Sequence, residues 1–102
     1  MRLRLHLGAV LVQNFANLLW TEADQLLSGY GLDVRTLLPL AQTHLVALAQ
    51  ASPAALQTGP AVRGDARTMQ RHRALLAAGE HRELLALYDA LSARIHDLRS
   101  KS

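Results

Sequence analysis

The sequence predicts an all-α domain of about four helices with a long helix at its N-terminus. Half of the 102 residues are hydrophobic and only 4% are aromatic. Leu and Ala dominate the apolar half, while Val, Ile, Tyr and Phe are scarce; the first pair are strong helix formers and the others favour strands. Apolar residues recur three and four apart over long stretches. Asp, Gly and Pro fall between those stretches, where helix caps and breaks belong.

The first helix is expected from near Leu3 to Ser28. Leu3, Leu7, Leu11, Leu18 and Leu26 lie on one broad side of a regular wheel, flanked by Val10 and Phe15. Arg2, His6, Gln13, Asn17 and Asp24 form a narrower polar stripe. Gly29-Tyr30-Gly31 ends the helix, since Gly takes the left-handed cap conformation cheaply. Asp33 caps a second helix carrying Val34, Leu37, Leu38, Ala41, Leu45 and Leu48. Pro39 either kinks that helix or splits a short first turn from it. Ser52-Pro53 closes it. From Ser52 to Asp65 the helical pattern fails, and two Pro and two Gly mark a structured connection. Asp65 then caps a third helix through Ala66, Met69, His72 and Leu76, ending near Gly79. A fourth runs from about Glu80 to Arg99, with Leu84, Tyr88, Leu91, Ile95 and Leu98 as its packing seam.

Length and composition fit one globular domain over residues 1–102. The net charge of +3 comes from Arg spread along the chain and interleaved with eight acidic residues. That is a solvated surface rather than a nucleic-acid footprint, so no nucleic-acid partner is expected. The absence of Cys excludes disulfides, Cys metal sites and thiol catalysis and fits a cytoplasmic protein. The apolar run from Leu7 to Val12 is too short for a signal peptide and is bounded by His6 and Gln13-Asn14. Arg4, His6, Gln13, Asn14 and Asn17 interrupt every window that could span a membrane, so no membrane partner is expected. No metal-ligand spacing links the five His residues, and no metal is expected. Gly29-Tyr30-Gly31 lacks the preceding strand and third Gly of a dinucleotide loop, so this chain holds no cofactor by itself.

Two segments carry the functional candidates. Asn14 falls among Leu3, Leu7, Val10 and Leu18 on a regular wheel. A buried amide there must find partners or cost about 1–3 kcal/mol. It either bonds a neighbouring helix or loop, or contacts a substrate or nicotinamide at a domain cleft. The second segment is Thr58-Gly59-Pro60 with Arg63-Gly64-Asp65. Gly allows close backbone approach and Pro60 stiffens the loop. Arg63 presents a planar fork suited to a carboxylate or phosphate, and Asp65 caps the next helix and can hold Arg63. The alternative is a purely structural connector with Arg63 in solvent. His44 and His72 face apolar sides, as satisfied core or boundary histidines do.

His6-Leu7-Gly8-Ala9-Val10 leading to Asn14-Phe15, then Leu37-Leu38-Pro39-Leu40, then Thr58 to Asp65 ahead of Arg71-His72, resemble one family across nearly the whole chain. It is the helical C-terminal domain of unknown function that follows a Rossmann-like NAD(P)-binding domain in uncharacterised bacterial proteins. That family is similar to the C-terminal domain of 6-phosphogluconate dehydrogenase, and more distantly to pyrroline-5-carboxylate reductase and ketopantoate reductase. The resemblance implies a division of labour. A Rossmann-like domain, in cis or in trans and absent from this sequence, would hold NAD(P). The helical half would close the cleft, contact substrate and dimerise. Related hydroxyacid dehydrogenases carry a Lys one turn before an Asn on such a helix. If Asn14 is that Asn, Val10 stands where the Lys would be, leaving His6 as a weak candidate acid or base.

The resulting expectation is a dimerising, cleft-forming domain of an NAD(P)-dependent oxidoreductase-like protein, not catalytic alone. The competing expectation is a non-catalytic helical protein-interaction module. A first helix of about 26 residues would be roughly 40 Å long, against a radius of gyration near ~13 Å for a compact domain this size, which favours a homodimer. The Thr58–Asp65 loop is expected to pack against the first helix near Asn14, lining the cleft.

Overall fold

The computed structural model describes residues 1–101, and the chain is all-α there, with no strand among the described residues. The long N-terminal helix is present as three continuous segments: α1 (Arg2–Ala9), a π-helical segment (Val10–Phe15) and α2 (Ala16–Ser28). After it come a 3-10 turn (Val34–Leu37), α3 (Leu38–Leu48), a second 3-10 turn (Ala54–Leu56), α4 (Pro60–Arg63), α5 (Ala66–Ala78) and α6 (Arg82–Ser100). The contacts group into two compact units, Met1–Thr43 and the residues from His44 onward. No helix among the described residues is long and apolar enough to cross a membrane.

In the first unit, α2 ends through Gly31, not Gly29. Gly31 takes φ 72°, while Gly29 stays helical at φ −61°. The Leu32 amide then donates to the Leu27 carbonyl at 3.0 Å, satisfying a carbonyl that the helix leaves open. Asp33 caps the following turn, its carboxylate accepting from the Arg35 amide at 2.9 Å. Pro39 sits at the second residue of α3, where no intrahelical amide is required. Of the two outcomes that the proline allows, the structure takes the split: a 3-10 turn, then the helix.

The half-buried residues of the first helix differ from those that a regular wheel places inward. A π turn closes hydrogen bonds to i+5 and slips the α-helical register by one residue. The half-buried positions of α2 are Ala16, Trp20, Glu22, Ala23, Leu26 and Leu27, and this helix packs on the 3-10 turn with half-buried Val34 and Leu37. Leu18, assigned inward by the regular wheel, is 47% exposed.

In the second unit, α5 and α6 pair as antiparallel neighbours across a short connection, and α4 packs against both. Ala61 and Leu76 are the buried hydrophobic residues. On α6, Leu84, Tyr88 and Ile95 are half-buried as the seam predicts, whereas Leu91 and Leu98 are exposed and Ser92 takes an inward position. Helix α3 ends at Leu48, earlier than Ser52-Pro53, by tightening: the Ala49 and Gln50 amides donate to Val46 and Ala47. The expected irregular connection holds a 3-10 turn, with the Ser52 hydroxyl accepting from the Ala55 amide at 3.3 Å, and the one-turn helix α4.

Much apolar surface stays open. Leu3, Leu5, Leu7, Leu11, Val12 and Phe15 are each more than half exposed along α1 and the π-helical segment. Helix α3 is apolar nearly all round, with Leu40, Leu45 and Val46 exposed. A helix of that kind is normally enclosed.

Candidate functional site

The Thr58–Asp65 segment is built around helix α4. Gly59 stands before it with φ 107° and ψ 172°, a backbone state open essentially only to glycine. Pro60 occupies the first helical position, where its missing amide costs nothing. Gly64 ends the turn in the left-handed conformation at φ 66°. The amides of Gly64 and Asp65 both turn back to the Pro60 carbonyl, the latter at 2.9 Å. Asp65 thus closes α4 and opens α5 with no residue between.

The Asp65 carboxylate accepts from the Thr68 amide at 3.1 Å and from the Thr68 hydroxyl at 2.8 Å. Its second oxygen also lies 3.8 Å from the Arg63 guanidinium. The Thr68 hydroxyl, then the Thr68 amide, and more weakly Arg63, hold the Asp65 carboxyl below its ordinary value of 3.8 against the opposing effect of desolvation. Asp65 therefore caps as expected and also stands beside Arg63. The Arg63 side chain is 61% exposed, with its fork open to a ligand.

The α5–α6 face adds a polar cluster that sequence reasoning did not single out as a unit. Arg73 donates through Nε and Nη2 to the two Asp89 oxygens at 2.8 and 3.0 Å, a bidentate pair. The pairing lowers the Asp89 pKa and raises that of Arg73. Beside it, His72 Nδ1 and the Tyr88 hydroxyl are 2.8 Å apart, with the rings edge to face at 5.7 Å. His44 and His72 are both exposed, so neither is the core or boundary histidine expected; His72 is instead bonded to Tyr88 at the surface. A sequence signal existed: His72 and Tyr88 lie symmetrically about Glu80, and Arg73 and Asp89 about His81. Two antiparallel helices joined by a short turn bring such positions opposite one another. Ala61, Gly64, Met69, Arg73, Asp89 and His96 are among the residues lining an open depression of about 450 Å³.

Asp65 and Asp89 give the second unit an acid-sensitive contribution to stability. A carboxyl whose folded pKa is depressed stabilises the fold above its unfolded value and loses that contribution as pH falls through the folded value. Denaturation midpoints should hold steady from neutral pH down to the ordinary carboxylate value of 3.8, then fall below it. The Asp65→Asn, Asp89→Asn double variant should start less stable and show a flatter profile. Urea melts across that range check both.

The remaining candidates lie in the first unit. His6 is on α1 and exposed. Asn14 lies in the π-helical segment and is also exposed, so the expectation of a buried amide needing partners fails. Leu3, Leu7 and Leu18, its neighbours on that wheel, are exposed as well, so most of that face lies uncovered. Asn14 lines an open depression of about 380 Å³ with Val12, Gln13, Ala16, Asn17 and Trp20. The structure thus brings Thr58 through Asp65 together in the second unit and places His6 and Asn14 in the first. Among the described residues, no three His, Asp or Glu side chains gather as a metal-ligand group.

Residues 1–95 match the family described as a domain of unknown function, DUF2520. The chain is also similar to the crystal structure of a putative NADP oxidoreductase from Bacteroides fragilis. The TM-score is 0.85 at 35% sequence identity, over 92% of this chain and 36% of that one. The chain thus spans 36% of the length of that solved relative. No curated protein matches the sequence.

Proposed function

Because the chain belongs to the DUF2520 family, we propose that it is the dimerising, cleft-forming C-terminal helical domain of an NAD(P)-linked oxidoreductase-like protein, of the kind seen in 6-phosphogluconate dehydrogenase. The observation that carries this reading is the match to a segment of a protein named as an NADP oxidoreductase, covering nearly all of this chain and about a third of the other.

On this reading the dinucleotide belongs to a Rossmann-like domain acting in cis or in trans. The described residues contain no strand, hence no strand–glycine-turn–helix unit to hold a pyrophosphate. Arg63 meets an anionic group of the substrate and Asp65 holds Arg63 in place; Thr58, Gly59, Pro60 and Gly64 shape the loop. Asn14 supplies a separate polar contact. The open apolar face of α1 and the apolar α3 serve self-association, for which a two-fold homodimer is the commonest arrangement.

Light scattering combined with NADPH titration tests the reading. The chain should have dimer mass at micromolar concentration and bind no NADPH; mixed with or fused to its Rossmann-like domain, it should bind NADPH. Leu7→Glu should shift the mass to monomer. Monomer mass at high concentration, or NADPH affinity in the isolated chain, would overturn it.

A further inference from the structure

The first helix carries a second feature, which deepens the reading of Asn14 as a ligand contact and rests on it. The segment Val10–Phe15 leaves α-helical hydrogen bonding in mid-helix, with no proline within it and α geometry restored at Ala16. Such segments are energetically poorer than the α-helix and recur where a helix must present groups to a ligand.

What this one presents is unusual in composition. Gln13, Asn14 and Asn17, three carboxamide residues, line one open depression together with half-buried Trp20. All three side chains are exposed, and among the described residues none of their amides bonds another protein group. No charged side chain lines the depression.

We propose that this amide cluster binds an uncharged ligand group that offers donors and acceptors side by side, a carboxamide or a pair of vicinal hydroxyls. Each side-chain amide carries two donors and one acceptor oxygen, so it pairs in two directions with such a group. The absence of a charged partner disfavours a carboxylate or phosphate, which would lose its hydration without ionic compensation. Trp20 contributes an apolar face for the ring or chain that bears the group, and its indole N–H adds a donor.

The test uses the 15N-labelled chain alone, without a Rossmann-like domain or dinucleotide. Benzamide, sorbitol and benzoate are titrated separately while the side-chain amide signals of Gln13, Asn14 and Asn17 and the Trp20 indole signal are followed. Benzamide shifting these signals identifies a carboxamide ligand; sorbitol doing so identifies a polyol. In either case benzoate binds at least roughly tenfold more weakly, and Asn14→Ala, Asn17→Ala weakens the neutral probe by a similar factor. The main-chain amide spectrum of the variant shows whether its fold is kept, and Gln13→Ala serves as a second variant. No response to either neutral probe, or benzoate binding equally well, overturns the proposal. That failure would leave the dimer and NADPH results untouched, so the two readings fail separately.

Discussion

Leu76→Ala should destabilise the second unit by about 2–5 kcal/mol, toward the range seen when a fully enclosed Leu is truncated. Leu76 is 5% exposed, and with Ala61 it is one of two buried hydrophobic residues in the described chain. It lies on α5, which pairs with α6, so truncation removes apolar contact where the two helices meet. The Arg73–Asp89 and His72–Tyr88 contacts between the same helices involve exposed or half-buried groups and cannot offset the loss. Urea denaturation should show a lower midpoint with an unchanged slope. A change under about 1 kcal/mol would mean that Leu76 is not enclosed as described.

Gly59→Ala should cost about 1–3 kcal/mol although the new methyl group meets nothing. A Cβ at Gly59 has no heavy atom within 4 Å, so crowding contributes nothing. The cost is conformational: φ 107° with ψ 172° is a state that a residue bearing a Cβ strongly avoids. Gly64→Ala should cost less, since φ 66° and ψ 31° lie in the left-handed region that L-residues enter with less strain. The order of the two variants, read from urea midpoints, is the discriminating result. Equal effects would show that the backbone before Pro60 relaxes to another conformation.

The all-α fold and most helix ends are written in local chemistry. Asp33 and Asp65 announce their caps by residue type, and Gly31 and Gly64 mark stops because each takes a positive φ. Helix α4 was also within reach of sequence reasoning. Gly59-Pro60 before it and Gly64 after it follow the preference for Pro at the start and Gly past the end of a helix. Its single turn is too short for a periodic apolar pattern, so the segment reads as a loop. The π-helical segment has no comparable signature. Val10, Leu11, Val12, Gln13, Asn14 and Phe15 suit an ordinary helix, and nothing in their spacing states that one turn is wider. Nor does the sequence state that the face carrying Leu3, Leu7, Asn14 and Leu18 lies mostly uncovered, so periodicity alone places Leu18 and Asn14 inward. At the candidate site, the pairing of Asp65 with Thr68 and Arg63 follows from local spacing. The Arg73–Asp89 and His72–Tyr88 contacts depend on where the turn between α5 and α6 falls.

The wider turn at Val10–Phe15 also bears on carrying functional positions from one relative to another. A π turn amounts to one inserted residue in an otherwise α-helical ladder. In a relative whose helix is α throughout, the side chain one turn before the asparagine sits four positions back. In a π turn the hydrogen-bonding counterpart moves one position further back. A gap-free alignment across this point therefore equates residues that occupy different angular positions around the helix. Comparison with relatives should admit a one-residue gap between Val10 and Phe15 and match side chains by direction rather than by count. Assigning the lysine position to Val10, or a proton-transfer role to His6, presupposes the register that this turn breaks.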